Sequence, residues 1–259
     1  MRLFFLLKTI LLTLGLMMTS VAAQSLQMGV SVDVVPVGSD FDGQDIVIFG
    51  SIEDAEIEEL YRGKYDVVVE VIGDNEEVLV RKKDRVGGIW INTNARKYID
   101  VPSFYSVMSR NELKDVSNPL ALRTLGLGIE NIRARPQEQG SVQQFLTASE
   151  FSQALRRVRI QDGLFYQSSD ALEQLSPSLY RATLSLPPNA PIGLYVVKAH
   201  LFYEGKKMAD VASSFEVRKI GFERWIYDFA HNQSLFYGFM CVFIAMFTGW
   251  AANAIFRKA

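Results

Sequence analysis

The stretch SLFYGFMCVFIAMFTGWAANAIF, Ser234 to Phe256, is 23 residues long and carries no charge. As a helix rising about 1.5 Å per residue it reaches ~35 Å, slightly more than the ~30 Å hydrocarbon layer of a bilayer. Backbone amides in hydrocarbon must be satisfied within the segment, so this run predicts one membrane-spanning helix over 234–256, crossing with some tilt. Arg257 and Lys258 follow at once, and the positive-inside tendency places this tail, residues 257–259, in the cytoplasm.

The other end has a different signature. MRLFFLLKTILLTLGLMMTSVAAQ sets Arg2 and Lys8 around an apolar core and then reaches the small residues Ala22 and Ala23. That order predicts a signal peptide over residues 1–23, cleaved after Ala23. Together the two ends predict a type I single-pass topology, with the globular part outside the cytoplasm and a tail too short for a signalling domain. Cys241, the single cysteine, lies in the apolar run, so the exported part folds without a disulfide and relies on its core. About 190 residues are enough for that. Setting aside Arg2, Lys8, Arg257 and Lys258 leaves 23 basic against 29 acidic residues, a net of −6. This balance weighs against nucleic acid as a partner and against a basic membrane-surface module.

Within the apolar run, Gly238, Cys241, Ala245, Gly249, Ala252 and Asn253 recur at spacings of three and four. Such a stripe of small residues lets helices approach closely, and Asn253 and Thr248 add hydrogen-bonding capacity, so a neighbouring helix, from a second copy or another protein, is the expected occupant. Just before it, GFERWIYDFAH predicts an amphipathic juxtamembrane helix within residues 220–233. Phe222, Trp225, Ile226 and Phe229 share one face, while Glu223, Tyr227, Asp228 and His231 lie toward the other. Aromatic residues in that position form a collar at the headgroup level, so the lipid bilayer is itself a partner. The Asn232-Gln233-Ser234 glycosylation pattern abuts the membrane and reads as chance.

Residues 24–219 alternate in strand fashion. MGVSVDVVPV and DIVIFGSI are separated by the Asp and Gly turn chemistry of Asp40 to Gln44. YDVVVEVIG and EEVLVRKKD read as a hairpin turning at Gly73, Asp74 and Asn75, and GIWINT and KYIDV continue the series. A helical period then takes over. Pro102 is expected to begin a short helix, and Asn118-Pro119 is a cap with proline at the first helical position. In TASEFSQALRRVRIQDG, Thr147 and Glu150 have capping-box spacing, Phe151, Ala154, Leu155 and Val158 share a face, and Arg156, Arg157 and Arg159 are left to solvent.

Strands return at LYRATLSLP. The segment from Pro191 to Lys219 reads as a hairpin turning at Glu204, Gly205 and Lys206, with Tyr195, Val197, Ala199, Leu201 and Tyr203 on one face and Val196, Lys198, His200 and Phe202 on the other. The expected class is mainly β: one immunoglobulin-like β-sandwich interrupted by a helical insertion at about 102–163. Two small β-rich domains are the alternative, although no Pro- or Gly-rich linker divides the chain.

Chemistry-bearing motifs are sparse. His200 and His231 are the only histidines, and neither has a second ligand at metal spacing. Asp40, Asp42 and Asp45 around Gly43 lack the spacing of a calcium loop, and the acidic run from Glu53 to Glu59 reads as a solvated face. The stretch VRKKDRVGGIW is the most suggestive. Arg81, Lys82, Lys83 and Arg85 precede Gly87-Gly88 and Trp90, a pattern that suits an anion site or a partner surface anchored by the tryptophan. A solvated strand edge guarded by lysines, with Trp90 in the core, accounts for the same residues.

Three segments, VRKKDRVGGIWIN, VPSFYSVMS and GFERWIYDFAHNQSLFYGFMCVFIAMFTGWAANAIFRK, together resemble a family of alphaproteobacterial transmembrane proteins without an assigned activity. The resemblance covers most of the mature chain and implies a bacterial inner-membrane protein with its domain in the periplasm. It carries over no catalytic residues. An association of such proteins with exporters of the sulfite and sulfonate class favours an accessory role, and would give Arg81, Lys82, Lys83 and Arg85 an anionic ligand. The expectation is a non-enzymatic, membrane-anchored protein without a cofactor that binds an integral membrane partner. A periplasmic sensor or binding domain for a small oxyanion is the alternative; an enzyme with a site assembled across space is a third.

Overall fold

The computed structural model describes residues 25–137 and 142–256, without the side chains of 142–148, 222–225, 228 and 254–256. The expected signal peptide at 1–23, the tail at 257–259 and the side chains of Thr147, Phe222 and Trp225 lie outside the described residues.

The chain is mainly β. Strands β1 (Ser25–Val30), β3 (Gln44–Glu53), β11 (Leu179–Leu186) and β10 (Leu172–Gln174) form an antiparallel sheet in the order β1-β3-β11-β10. A six-stranded sheet takes β2 (Val34–Val37), β13 (Lys206–Lys219), β12 (Gly193–Tyr203), β4 (Tyr65–Gly73), β7 (Tyr105–Ser109) and β9 (Phe165–Ser168) in the order β2-β13-β12-β4-β7-β9. Its β2–β13 and β7–β9 pairs are parallel. The first sheet follows the two-residue period, β11 alternating exposed and buried along its whole length, whereas β4 and β7 of the second are buried on both faces. Ile46, Ile48, Ala182 and Leu184 of the first sheet join Val67, Val69, Val71, Tyr195, Val197, Leu201 and Phe215 of the second in one hydrophobic cluster. The core therefore draws on both halves of the chain.

The β12–β13 hairpin turns at Glu204 and Gly205, whose φ values of 46° and 82° are the consecutive left-handed pair that a two-residue turn needs. At the start of β12 the Tyr195 hydroxyl donates to the Pro191 carbonyl at 2.6 Å, while its ring stacks on Phe215 and tilts against Phe104. Tyr195→Phe keeps the ring and strands that carbonyl. It is expected to cost about 1–2 kcal/mol, read from urea unfolding of the full chain in detergent.

The expected hairpin between YDVVVEVIG and EEVLVRKKD does not form. Gly73 N donates to Phe104 O at 2.9 Å and Ser103 N to Asp74 O at 2.8 Å, so the ladder runs straight through the supposed turn. Strands β5 (Asn75–Val86) and β6 (Ile89–Pro102) prolong β4 and β7 into one antiparallel ribbon that turns at Gly87-Gly88, with β8 (Arg135–Pro136) pairing near its root. The two glycines, at φ 60° and 87°, supply the left-handed pair without strain; Asp74 instead stays in register, its side chain accepting from Leu194 N at 2.9 Å. GIWINT and KYIDV accordingly belong to a single strand.

Pro102 ends β6 rather than beginning a helix, and the region expected to be a helical insertion first adds β7 to the sheet. After the short helix α1 (Ile57–Tyr61), the insertion contributes α2 (Leu113–Val116), α3 (Pro119–Leu125) and α4 (Val142–Gln161). Asn118 caps α3 as its sequence predicts, its side-chain oxygen accepting from Ala121 N at 2.8 Å. The α4 expectation needs correction in two respects. The helix begins at Val142, so Thr147 and Glu150 are interior positions and not a capping box. Its inward row is Phe151, Leu155 and Arg159, at i, i+4 and i+8, which leaves Val158 48% exposed and turns Arg159 inward to pair with Glu76 of β5.

Helices α5 (Phe222–Asn232) and α6 (Ser234–Phe256) end the described chain, separated by Gln233.

Candidate functional site

The ribbon places the basic stretch. Alternation along β5 sets Arg81, Lys83 and Arg85 on one exposed face, and Arg85 lies directly opposite Trp90 of β6. Lys82 points the other way, toward α4, 3.8 Å from the Glu150 carboxylate. The five residues thus split: Arg81, Lys82 and Lys83 border, with Glu150 and Arg157 of α4, a groove of about 460 Å³, while Arg85 and Trp90 lie outside it, nearer the turn. Trp90 is 69% exposed, which removes the reading that buries it in the core. Near the turn, Arg85 Nε donates to Gly88 O at 3.4 Å and the Thr93 hydroxyl donates to Asp84. From Gly73 to Gly87 the ribbon runs 14 residues, ~45 Å at about 3.3 Å per residue.

At the root of the ribbon is a cleft of about 640 Å³, between the outer face of the six-stranded sheet and the insertion. Glu70, Tyr105 and Lys198 line it from the sheet, and Gly126 and Arg133 from the insertion. Glu70 is 4% exposed. The Tyr105 hydroxyl donates to Glu70 Oε1 at 2.9 Å and accepts from Gly128 N at 3.0 Å. Burial first, and then the Glu70 carboxylate, push the Tyr105 hydroxyl far above the usual phenol range, so it remains a donor at any physiological pH.

His200 Nε2 lies 3.7 Å from Glu70 Oε2, and neither ring nitrogen makes a hydrogen bond among the described residues. Lys198 sits across from Glu70 in the strand register without an ion pair among the described residues. Arg133 is occupied by the carbonyls of Arg123 and Thr124 at the end of α3, and Arg135 by Asp100 at 3.1 Å. Chemically the floor offers one buried carboxylate and one half-buried ammonium to a small polar ligand.

Sequence reasoning placed His200 and Lys198 on a common face, as observed, but did not single out Glu70. The signal was a carboxylate flanked by valines within YDVVVEVIG, four residues inward of Asp66, on a strand buried on both faces because the insertion covers the sheet.

Among the described residues nothing packs on the small-residue stripe of α6. A β-carbon added at Gly238 or Gly249 meets nothing within 4 Å, Cys241, Ala252 and Asn253 are exposed, and the Thr248 hydroxyl donates within its own helix, to Ile244 O at 2.9 Å or Ala245 O at 3.0 Å. In α5, Ile226 and Phe229 are half-buried, whereas Tyr227 is exposed and stacks on His231 with ring centroids 4.0 Å apart. Among the described residues one helix, Ser234–Asn253 by its apolar window, is long and apolar enough to cross a membrane, with a mean hydropathy of 1.8.

These features define a mainly β protein with one C-terminal helix able to span a bilayer. The chain belongs to the alphaproteobacterial family described as "Putative transmembrane protein (Alph_Pro_TM)", whose model matches residues 25–258. A search of curated proteins finds no match.

Proposed function

We propose that this chain is a non-enzymatic, membrane-anchored accessory protein whose periplasmic domain binds a partner embedded in the same inner membrane. The observation that carries the reading is topological. Strands β4 and β13 both end beside the start of β12, with Gly73 opposite Tyr195 and Val217 opposite Gly193. The ribbon and the route to α6 therefore leave the domain from one edge, so its most exposed surface and its anchor lie on the same side. A partner within the membrane is the neighbour that such an arrangement suits.

The domain itself fits an immunoglobulin-like β-sandwich. The order β1-β3-β11-β10 matches strands A-B-E-D, and β13-β12-β4-β7 matches G-F-C-C′, while Tyr195 and Pro191 stand where that fold carries its tyrosine corner. A sulfite- or sulfonate-type transporter is the partner class favoured by the family resemblance. The type I orientation, with the C-terminus cytoplasmic, follows from Arg257 and Lys258.

Affinity purification of the full chain from native membranes tests the reading. A leucine at Gly249 finds open space on the single chain but blocks close helix approach, so Gly249→Leu is expected to abolish recovery of a co-purifying membrane protein at unchanged thermal stability. Wild-type protein running alone, or the same species recovered with the variant, would sink it. The oxyanion-binding alternative rests on Arg81, Lys83 and Arg85 sharing one face; it fails if sulfite, sulfate and phosphate at millimolar concentrations give no heat of binding.

A further inference from the structure

We propose that the tip of the β5–β6 ribbon, Val86 to Ile91, inserts into the headgroup layer of the membrane that α6 crosses, with Arg81, Lys83 and Arg85 held against anionic lipid phosphates. Direction is the first support. Strand β5 continues β4 past the sheet edge from which β13 departs toward α5 and α6, and Ile220 N, just beyond β13, is held by Val37 O at 3.1 Å at that same edge. Reach is the second. The ribbon extends ~45 Å beyond the edge, whereas α5, the main element between the sheet and α6, spans only ~16 Å as an 11-residue helix. Even at a steep tilt the ribbon tip arrives at the bilayer surface.

The chemistry of the tip selects lipid over a protein groove. Val86, Ile89, Trp90 and Ile91 are 50%, 65%, 69% and 41% exposed. The Arg85–Trp90 pair projects to one side of the ribbon, and the Val86–Ile89 and Asp84–Ile91 pairs to the other. A strand that docks on a protein buries one face; here large apolar side chains are exposed on both faces, Trp90 on one and Val86, Ile89 and Ile91 on the other, each beside a charge, which suits an amphipathic layer that surrounds the tip. Tryptophan beside short aliphatic residues is the composition that settles at the headgroup boundary.

Charge agrees. Between 79 and 97, Arg81, Lys82, Lys83, Arg85, Arg96 and Lys97 stand against Asp84 alone, a local net of +5 in an exported part whose total is −6. The overall balance, which weighs against a basic membrane-surface module, thus conceals one concentrated patch. Lys82 and Lys97 are paired with Glu150 and Glu77, while Arg81, Lys83 and Arg85 form no ion pair among the described residues. These three cations recede from the tip at intervals of about 7 Å, behind the apolar residues, where anionic lipid headgroups attract them.

The experiment uses the full chain in lipid nanodiscs without any partner protein, so its outcome is independent of whether a membrane partner exists. Replacing Trp225 and Trp250 with phenylalanine leaves Trp90 as the sole tryptophan. In discs containing phosphatidylglycerol, Trp90 emission is expected to shift to the blue and to be quenched several-fold more by lipids brominated near the headgroup than by lipids brominated at the chain end. The triple change Arg81→Gln, Lys83→Gln and Arg85→Gln is expected to weaken that quenching several-fold. A solvent-like, unquenched Trp90 overturns the proposal, and is the result expected of a tip reserved for a protein. Should the tryptophan background fail to fold, a single cysteine reports instead. In a Cys241→Ser chain, Ile89→Cys is expected to react several-fold more slowly with a membrane-impermeant maleimide than Tyr61→Cys, at the opposite end of β4. Equal rates overturn it.

Discussion

Gly50→Ala is expected to be the most damaging single-methyl change in the domain, costing about 3 kcal/mol or more and measured as a fall in the thermal unfolding midpoint of the full chain in detergent. Gly50 lies on β3, a central strand with β1 on one side and β11 on the other. Opposite it the Tyr180 hydroxyl crosses the strand to donate to Gln27 O at 3.1 Å. A β-carbon at Gly50 would overlap the Gln27 carbonyl oxygen and the Tyr180 hydroxyl, and would sit 2.6 Å from the ring carbon that bears that hydroxyl. Neither neighbour can yield: one is ladder backbone and the other a ring almost wholly buried in the core. Adding Tyr180→Phe removes the hydroxyl overlap but not the backbone one, so it is expected to rescue little. Full rescue would show that the backbone overlap is not limiting.

Tyr105→Phe is expected to cost about 2–4 kcal/mol, well beyond the ~1 kcal/mol of an ordinary hydrogen bond. The hydroxyl donates to the Glu70 carboxylate at 2.9 Å, with Gly126 O a weaker second acceptor at 3.2 Å, and accepts from Gly128 N. Phenylalanine fills the same space and leaves the carboxylate and the Gly128 amide short of a partner, and a buried carboxylate short of a donor is the costlier of the two. The double variant Tyr105→Phe with Glu70→Leu separates these contributions. If the stranded carboxylate dominates, the double variant is more stable than the sum of the two single changes implies, by about 1 kcal/mol or more. Strict additivity in urea unfolding would place the cost in the Gly128 amide instead.

Some elements were legible because their causes are local. Helix α6 occupies Ser234–Phe256, the charge-free run itself, and α5 lies within the amphipathic stretch before it. Asn118 caps α3, and Glu204-Gly205 turns the last hairpin, each from residues within four positions of one another. The β12 face with Tyr195, Val197, Ala199 and Leu201 is buried as its alternation requires. In each case periodicity or capping chemistry is complete within a short window.

Gly73-Asp74-Asn75 carries good turn chemistry and yet is straight, because Phe104 and Ser103, some thirty residues away, take its backbone groups into a ladder. Arg159 looks solvent-facing on a helical wheel until Glu76, 83 residues earlier, is placed beneath it. Glu70 becomes a buried acid only once the insertion closes over the sheet.

By itself, then, the sequence determined the candidate membrane span, its juxtamembrane helix, the mainly β character and the last hairpin, all of which follow from hydropathy, period and turn residues read along the chain. Tertiary structure alone decided that two strand pairs fuse into one ribbon, that the ribbon and the anchor leave by one edge, that Arg81, Lys82 and Lys83 border a groove beside α4 while Arg85 and Trp90 lie nearer the turn, and that Glu70, Tyr105 and His200 meet. The physical reason is that a backbone group or side chain takes whichever partner folding brings to it, and partners far apart in sequence leave no mark on the residues between them.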